Sequence, residues 1–203
     1  MISVIDYGIG NIASIVNMLK KIGVSARLVN TVEDIEASSK LILPGVGSFD
    51  AGISRLRSLG FEAAIQNALG KNAYILGICL GMQMLLERSE EGELKGLSLI
   101  EGSSQKFDAR SFDIKVPHMG WNIVVPSERS VLFDRALPEH RFYFVHSYFV
   151  KCKDQNNEIA RANYGSKFCC AIQKGRVMGV QFHPEKSHKF GMTLLAKYAE
   201  LPC

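Results

Sequence analysis

The sequence predicts an α/β fold in which helices cover both faces of a central, mostly parallel sheet and an antiparallel region is added to it. Three observations support this prediction. Short apolar runs alternate with amphipathic runs in the first half, strand-like runs follow one another in the second half, and the last segment has helical periodicity. The 203 residues contain no linker, repeat or Pro/Ser-rich boundary, so we expect residues 1–203 to form a single domain.

The first half has the β-α-β-α pattern of a parallel sheet. Apolar and β-branched runs predict strands, and runs with apolar residues three and four positions apart predict helices between them. In chain order we expect a strand at 2–6, a helix at 11–22, strands at 26–29 and 40–43, helices at 49–56 and 61–69, a strand at 73–78 and a helix at 82–88.

From about residue 97 the pattern changes to strands separated by turn residues. We expect strands at 114–116, 121–125, 141–151, 159–162, 168–174 and 176–182, followed by a helix at 186–200. Short connections between successive strands are typical of antiparallel neighbours. This region is therefore expected to pack on the parallel sheet or to extend it within the same domain.

Composition excludes several classes of protein. With 47% hydrophobic and 22% charged residues and no low-complexity tract, the chain is able to bury a core, which excludes a mainly disordered protein. The 24 basic and 20 acidic side chains leave a net charge of +4, and no basic cluster is longer than a pair. We therefore expect no nucleic-acid partner.

The first residues show no basic leader, and no run approaches the ~18 apolar residues of a membrane span. We expect a cytoplasmic chain with no membrane partner. The cysteines lack C-x-x-C spacing, which favours neither a disulfide framework nor a zinc ribbon. Most are expected to be reduced thiols: Cys79, Cys152, Cys169, Cys170 and Cys203.

The segment Gly77-Ile78-Cys79-Leu80-Gly81 places a cysteine where an apolar strand ends and a helix begins. This is the pattern of a nucleophile elbow, in which flanking glycines let backbones approach a strained nucleophile. The N-terminus of the following helix favours a thiolate, and the Leu80 N–H is available to a developing oxyanion. For this segment alone, a buried core cysteine beside packing glycines is the alternative.

A late apolar strand ends at His183, which is followed by Pro184 and Glu185. His183 is the candidate base for Cys79, and Glu185 is placed to orient the imidazole and to stabilise its protonated form. Alternatively, His183 caps the strand and Glu185 belongs to the first turn of the last helix. A metal site of His183, Glu185 and His188 has no recognised ligand spacing, so we expect no metal and no cofactor.

A glycine-rich turn, Pro44-Gly45-Val46-Gly47, follows another predicted strand. In a parallel sheet this turn lies at the same edge as Cys79, and its glycines allow a peptide N–H to point at a substrate oxygen. No Gly-Lys-Ser/Thr follows, so a phosphate loop is disfavoured. A plain turn between strand and helix is the alternative.

Together these segments resemble the class I glutamine amidotransferases, whose signature couples a G-x-C-x-G elbow with a late H-P-E. Within that family the sequence is similar to the glutaminase subunits of imidazole glycerol phosphate synthases. The similarity rests on six segments spread over nearly the whole chain: DYGIGN at 6–11, PGVG at 44–47, GICLGMQ at 77–83, PHMGWN at 117–122, YFVHSY at 143–148 and QFHPEKS at 181–187. The resemblance implies a flavodoxin-like fold.

The resemblance also implies how the site works. Cys79 attacks the side-chain amide of glutamine, His183 moves the proton, Glu185 orients His183, and a γ-glutamyl thioester is hydrolysed to glutamate. Oxyanion donors are the backbone of Leu80 and of Val46 or Gly47, after a peptide rearrangement of the loop. Glutamine contacts fall on Gly47, Gln83, Glu91, Ser147 and Tyr148, with Glu91 pairing with the α-amino group.

By the same resemblance the partner is a separate (β/α)8-barrel synthase subunit, which receives ammonia in a heterodimer and serves histidine biosynthesis. The residues implied at the interface or its gate are Gly10, Asn11, Trp121, Tyr143 and Lys186. Taken singly, a lone tryptophan such as Trp121 is usually a core residue, Tyr143 in an alternating strand can face either side of the sheet, and Lys186 is expected to be a solvated residue at a helix start. The other histidines are expected to be structural or surface residues: His118, His140, His146 and His188.

Three alternatives accompany this reading. A paralogous glutaminase that supplies ammonia for amidation of a surface or nucleotide-linked sugar would carry the same glutaminase residues. A cysteine hydrolase of another family on a similar sheet is disfavoured by Glu185. A binding subunit with a relic site is disfavoured by the joint presence of Cys79, His183, Glu185 and the glycine loop.

Overall fold

The computed structural model describes residues 1–202, apart from the side chains at 111 and 112. Its twelve strands are β1 (Ile2–Ile5), β2 (Ala26–Val29), β3 (Lys40–Leu43), β4 (Tyr74–Ile78), β5 (Arg88–Ser89), β6 (Gly102–Lys106), β7 (His118–Pro126), β8 (Arg141–His146), β9 (Tyr148–Cys152), β10 (Glu158–Tyr164), β11 (Ser166–Lys174) and β12 (Val177–Val180). Its helices are α1 (Ile12–Lys21), α2 (Val32–Glu36), α3 (Phe49–Ser58), α4 (Phe61–Gly70), α5 (Leu80–Met84), α6 (Ala109–Phe112) and α7 (His188–Glu200), with short 3-10 helices at Gln155–Asn157 and Pro184–Lys186.

Five parallel strands form one half of the sheet, in the order β2-β1-β3-β4-β12. Strands β1, β3 and β4 are buried along their whole length, as expected for strands that are covered on both faces. The carboxyl ends of parallel strands share one edge of the sheet. The segments that follow β3, β4 and β12 therefore meet at that edge.

Helices cover both faces of this half. On one face, α1 and α7 pack their apolar side chains, such as Leu19 and Leu195, against Val4 and Leu76 of the sheet. On the other face, α2, α3 and α4 pack against the alternate strand residues, including Leu41. The alternation of side chains along each strand thus separates two cores.

The other half of the sheet is antiparallel, apart from the short parallel pair of β5 and β6. Strand β12 is parallel to β4 and antiparallel to β11, so it joins the two halves, and β11-β10-β7-β8 continue outward. Strand β9 pairs with β11 and β6, and β6 pairs with β5. This architecture confirms the predicted fold class.

Three predicted elements differ from the structure. The helix expected at 82–88 begins already at Leu80 and ends at Met84, because β5 starts at Arg88. The strand expected at 114–116 is wrong, since these residues lie in the loop between α6 and β7. The strand expected at 141–151 is interrupted at Ser147, which separates β8 from β9.

Several short elements were not predicted: α2, β5, β6, α6 and the 3-10 helix Gln155–Asn157. Helix α2 is five residues long and depends on its cap, in which the Thr31 side chain accepts a hydrogen bond from the Asp34 N–H. Strand β6 has the polar sequence GSSQK and no apolar alternation, so its pairing with β9 rests on backbone hydrogen bonds. No helix within residues 1–202 combines the length and apolar character needed to cross a membrane.

Candidate active site

Cys79 occupies a sharp turn between β4 and α5. Its backbone has φ +55° and ψ −111°, a conformation that is unusual for a residue with a side chain. The flanking glycines are required by space: a Cβ on Gly77 would lie 2.6 Å from the Gly81 carbonyl oxygen, and one on Gly81 would collide with the Leu43 carbonyl. The cysteine thus sits in the strained elbow that its sequence predicts.

His183 follows β12, the strand that lies beside β4 in the sheet. Val180 and Ile78 are paired in register, so the chain leaves both strands at the same level. His183 Nδ1 lies 2.7 Å from Glu185 Oε1, and both side chains are almost fully buried. Neighbouring strand ends therefore bring Cys79 and His183 together.

Burial opposes protonation of His183, but Cys79 and Glu185 beside it outweigh that effect and raise its pKa from 6.5 to about 9. The Cys79 sulfur is thus close enough to stabilise an imidazolium. Nevertheless, His183 Nε2 is buried and makes no hydrogen bond to any described residue. Nε2 is therefore free to exchange a proton.

One cavity of about 300 Å³ collects most of the predicted site. Its walls include every residue predicted for oxyanion stabilisation and glutamine contact, with Cys79 and His183: Val46, Gly47, Cys79, Leu80, Gln83, Glu91, Ser147, Tyr148 and His183. Lys186 also lines it, whereas Glu185 lies behind His183. A larger depression of about 600 Å³ along β7 and β10 contains none of the predicted site residues.

The glycine loop packs directly on the elbow. A Cβ on Gly45 would lie 2.7 Å from the Gly81 nitrogen, so only glycine allows this approach. The Tyr7 hydroxyl donates to the Pro44 carbonyl at 2.7 Å, which fixes the start of the loop. Gly47 has φ +93° and open space around it, a combination that leaves its peptide free to reorient.

A buried amide pair lies behind the cysteine. The Gln181 side chain donates to Cys79 Sγ at 3.7 Å and accepts from Gln83 Nε2 at 3.1 Å. Gln83 Nε2 also donates to the Tyr148 carbonyl at 3.2 Å. Gln181 was not predicted as a site residue, because a glutamine at a strand end carries no sequence signal of such a contact.

Glu91 forms the far end of the cavity. Its Oε2 accepts a hydrogen bond from the Phe49 N–H at 2.9 Å, at the start of α3. Desolvation raises the pKa of Glu91, the Phe49 N–H lowers it by less, and repulsion from Asp50 adds to the increase. A cation placed beside this carboxylate would restore the charge interactions that burial weakens.

The predicted gate residues lie around β7 and β8. Trp121 and Tyr143 are opposite each other in the two strands, with ring centroids 6.3 Å apart. Trp121 is 41% exposed and stacks on His188, and Lys186 Nζ lies 5.7 Å from the Tyr143 ring centroid. These side chains form one surface patch beside the cavity.

Gly10 and Asn11 lie at the same edge of the sheet. Gly10 has φ +122°, and a Cβ there would lie 3.1 Å from Pro44 Cβ, so this turn touches the glycine loop. Asn11 is exposed at the start of α1. That helix packs against the 3-10 helix Pro184–Lys186, so Asn11 and Lys186 lie on elements that contact each other.

Two histidines expected to be structural, His118 and His146, are buried and lie 3.0 Å apart, Nδ1 to Nε2. No group of three histidine, cysteine or acidic side chains suited to a metal ion occurs in the part of the chain that the structure describes. The four described cysteines are free and buried, and Cys203 lies outside the described residues.

Comparison with known proteins assigns the family. The sequence profile of the glutamine amidotransferase class-I family matches residues 3–199. The chain is 50% identical to "Imidazole glycerol phosphate synthase subunit HisH 2" of Pseudomonas aeruginosa, covering 99% of this chain and 100% of that protein. It is 48% identical to the protein of the same name from Methanococcus maripaludis, covering 98% of both chains.

The fold agrees with this assignment. A solved structure described as PurLQS from Thermotoga maritima superposes with a TM-score of 0.76 at 19% identity, covering 97% of this chain and 96% of that one. At this identity the likeness concerns the fold alone. The profile match and the two relatives establish that this chain belongs to the class I glutamine amidotransferase family.

Proposed function

We propose that this chain is the glutaminase subunit of an imidazole glycerol phosphate synthase, which supplies ammonia to a synthase subunit in histidine biosynthesis. The observation that carries the proposal is the joint placement of Cys79 and the His183–Glu185 pair at neighbouring strand ends. The names of the two relatives support the assignment of the pathway.

The reaction begins at the sulfur of Cys79. His183 takes the thiol proton, and Sγ forms a bond to the side-chain amide carbon of glutamine. When the C–N bond breaks, His183 gives its proton to the departing nitrogen, which leaves as ammonia. Water then adds to the γ-glutamyl thioester, His183 takes one of its protons, and the C–S bond breaks to release glutamate.

Glu185 orients His183 and stabilises its protonated form in both steps. A carboxylate at Nδ1 fixes the imidazole with Nε2 toward its reaction partner and stabilises the imidazolium. The raised pKa of His183, about 9, means that a proton taken from the thiol stays on the imidazole at neutral pH. His183 therefore holds a proton for the leaving ammonia.

The negative oxygen of the tetrahedral intermediate needs hydrogen-bond donors. Leu80 begins α5 directly after Cys79, so its N–H belongs to the free first turn of a helix. The second donor is the Val46 or Gly47 N–H, which reaches the oxygen after rotation of a peptide in the loop. Open space around Gly47 permits this rotation.

Glutamine is held by groups on the other walls of the cavity. Glu91 pairs with the α-ammonium group, and Gln83 with the Ser147-Tyr148 backbone aligns the remainder of the substrate. A half-buried carboxylate with a raised pKa gains most from a cationic ligand. The proposed reaction uses no cofactor.

The ammonia acceptor lies in another chain. We propose a heterodimer with a (β/α)8-barrel synthase subunit, in which Trp121, Tyr143, Lys186, Gly10 and Asn11 form the contact and gate at the carboxyl edge of the sheet. The exposed Trp121 supports this, because interfaces are enriched in such aromatic residues. In this arrangement residues 1–203 act as a single glutaminase domain.

One experiment tests the chemistry and the acceptor. The chain is purified with the protein that binds it, and glutamate release is measured with and without the ligand of that partner. Release is expected to be slow alone, faster in the complex, and absent after Cys79→Ala. Unchanged release by Cys79→Ala would contradict the mechanism, whereas a sugar-amidating partner would replace the histidine pathway with the alternative acceptor.

A labelling experiment separates an active site from a relic. A glutamine-mimicking electrophile is expected to modify Cys79 in the complex, with the modified peptide identified by mass spectrometry. Cys152→Ala is the matched control, because Cys152 is buried away from the cavity. Labelling should persist in that variant and disappear in Cys79→Ala.

A further inference from the structure

A chain of three hydrogen bonds leads from strand β7 to the glutamine cavity. Asn122 Nδ2 lies 3.2 Å from His118 Nε2, His118 Nδ1 lies 3.0 Å from His146 Nε2, and His146 Nδ1 lies 2.8 Å from the Tyr148 carbonyl oxygen. No atom that forms these three hydrogen bonds takes part in the proposed chemical steps. Its last member, however, is part of the cavity wall.

The contacts of Asn122 determine which partner donates in the hydrogen bond between Asn122 and His118. Asn122 Oδ1 accepts from the Ile123 N–H at 2.8 Å, and Nδ2 donates to the Asn163 carbonyl at 2.9 Å. These two partners settle which side of the amide is nitrogen. The amide therefore donates to His118, and His118 Nε2 accepts.

The Tyr148 carbonyl independently determines which partner donates in the other two hydrogen bonds. A carbonyl oxygen only accepts, so His146 Nδ1 must carry a hydrogen. In a neutral imidazole Nε2 is then the acceptor, and His118 Nδ1 donates to it. The two ends agree, so both His118 and His146 are the Nδ1–H tautomer.

Burial keeps the two rings neutral. It lowers the pKa of His118 to about 4, and it lowers the pKa of His146 to about 3, with a smaller opposing effect from the Tyr148 carbonyl. Stacking holds His118 in place: its ring centroid is 4.0 Å from that of Tyr164 and 4.8 Å from that of Phe144. At neutral pH the three hydrogen bonds therefore all donate in the same direction, from Asn122 toward the Tyr148 carbonyl.

These hydrogen bonds help to hold the Tyr148 carbonyl in place. It accepts from His146 Nδ1 at 2.8 Å and from Gln83 Nε2 at 3.2 Å, so both of its lone pairs are occupied. The preceding carbonyl, of Ser147, accepts from the Phe107 N–H at 3.1 Å. The backbone that separates β8 from β9 is thus held on both sides.

We propose that His146 is a positioning residue of the glutamine site: its Nδ1–H holds the Tyr148 carbonyl, and His118 and Asn122 set the direction of that bond from β7. The proposal rests on the proposed glutaminase function, because it assigns the Ser147-Tyr148 backbone to glutamine. It concerns the alignment of substrate and not the movement of the reacting proton.

Two substitutions of His146 test the roles of its two ring nitrogens separately. His146→Asn keeps a donor at the position of Nδ1, whereas His146→Gln keeps a polar group near Nε2 and loses the donor to Tyr148. In the complex, His146→Gln is expected to raise KM for glutamine about three- to tenfold with little change in kcat. His146→Asn is expected to stay within about twofold of the wild-type KM, as expected for a retained hydrogen bond.

His140→Gln is the matched control, because this half-buried histidine packs on Phe133 and lies outside the cavity. An unchanged KM in His146→Gln, or an equal rise in KM in both His146 variants, would overturn the proposal. So would a loss of kcat at constant KM. These outcomes require an active wild-type complex, and an inactive one would instead contradict the proposed function.

A measurement on the unmodified protein covers variants that fail to fold. Imidazole ¹⁵N NMR shifts distinguish the Nδ1–H from the Nε2–H tautomer. Both His118 and His146 are expected to show Nδ1–H at pH 7. An Nε2–H signal for either residue would refute the hydrogen-bond chain whether or not glutamine is hydrolysed.

Discussion

The imidazole of His183 and the carboxylate of Glu185 are joined by a 2.7 Å contact in which neither side chain is open to solvent. The backbone around this pair is held as well. The His183 N–H donates to the Tyr143 carbonyl at 2.9 Å, and the Ser187 hydroxyl donates to the His183 carbonyl at 2.6 Å. The imidazole that we propose as the proton carrier is therefore positioned by both its side chain and its main chain.

Glu185→Gln tests this pair. Without the carboxylate charge the imidazolium loses one of its two stabilising partners, so the pKa of His183 falls below about 9. In the proposed mechanism, ammonia leaves only when His183 is protonated. The alkaline limb of the kcat–pH profile is therefore expected near 9 in the wild type and at lower pH in the variant, with kcat reduced about 10²-fold or more.

Glu200→Gln serves as the control for Glu185→Gln. This glutamate lies at the end of α7, is solvent-exposed and forms an ion pair with Lys197 at 3.2 Å. Its kcat and pH profile are expected to match the wild type. An alkaline limb in Glu185→Gln identical to that of the wild type would show that Glu185 does not set the protonation of His183.

Gly81→Ala tests the space at the elbow. An added methyl group would meet the Leu43 carbonyl, which belongs to a buried central strand and has no room to retreat. The substitution is expected to lower the free energy of unfolding by about 1–3 kcal/mol. Gly70→Ala, at the open end of α4, should leave Tm unchanged or raise it, and equal Tm values for the two variants would contradict this account.

Glu91→Gln tests recognition of the substrate α-ammonium group. The amide oxygen still accepts from the Phe49 N–H, but the negative charge is lost. KM for glutamine is expected to rise about tenfold or more while kcat changes little. Steady-state kinetics of the complex give both values. Glu93→Gln, on an exposed residue of the same segment, is the control, and the assignment fails if both variants have the wild-type KM.

Trp121→Ala tests the proposed interface. Removing a central, half-exposed aromatic ring from an interface costs about 2 kcal/mol or more, so Kd for the synthase subunit is expected to rise about thirtyfold. Isothermal titration calorimetry measures this directly. Leu28→Ala removes an exposed apolar side chain from β2, at the opposite edge of the sheet, and should leave Kd unchanged. Equal effects of the two substitutions would place the interface elsewhere.

Local sequence determines much of the fold and the elbow. The strands around Val4 and Leu76 are short, apolar and bounded by turns, so their pattern alone predicts them. The glycines at 77 and 81 are predictable because steric contact at a strained turn leaves no alternative. Such features depend on a few neighbouring residues.

Other features depend on contacts between distant parts of the chain. The hydrogen bond of Gln181 to Cys79 joins residues 102 positions apart, and the His118–His146 contact joins residues 28 positions apart. A glutamine or histidine in a strand has the same local pattern whether it faces solvent or a buried polar partner. Polar strand β6 was missed for the same reason, since its partner β9 lies far along the sequence.

The position of β12 in the sheet has a consequence for biosynthesis of the protein itself. This strand follows the other eleven strands of the structure in chain order, yet it lies between β4 and β11 in the middle of the sheet and delivers His183 beside Cys79. A nascent or truncated chain that lacks it has the nucleophile without its base. Under the mechanism proposed for this chain, a chain that stops before His183 does not consume glutamine, and hydrolysis starts only after His183 has been added.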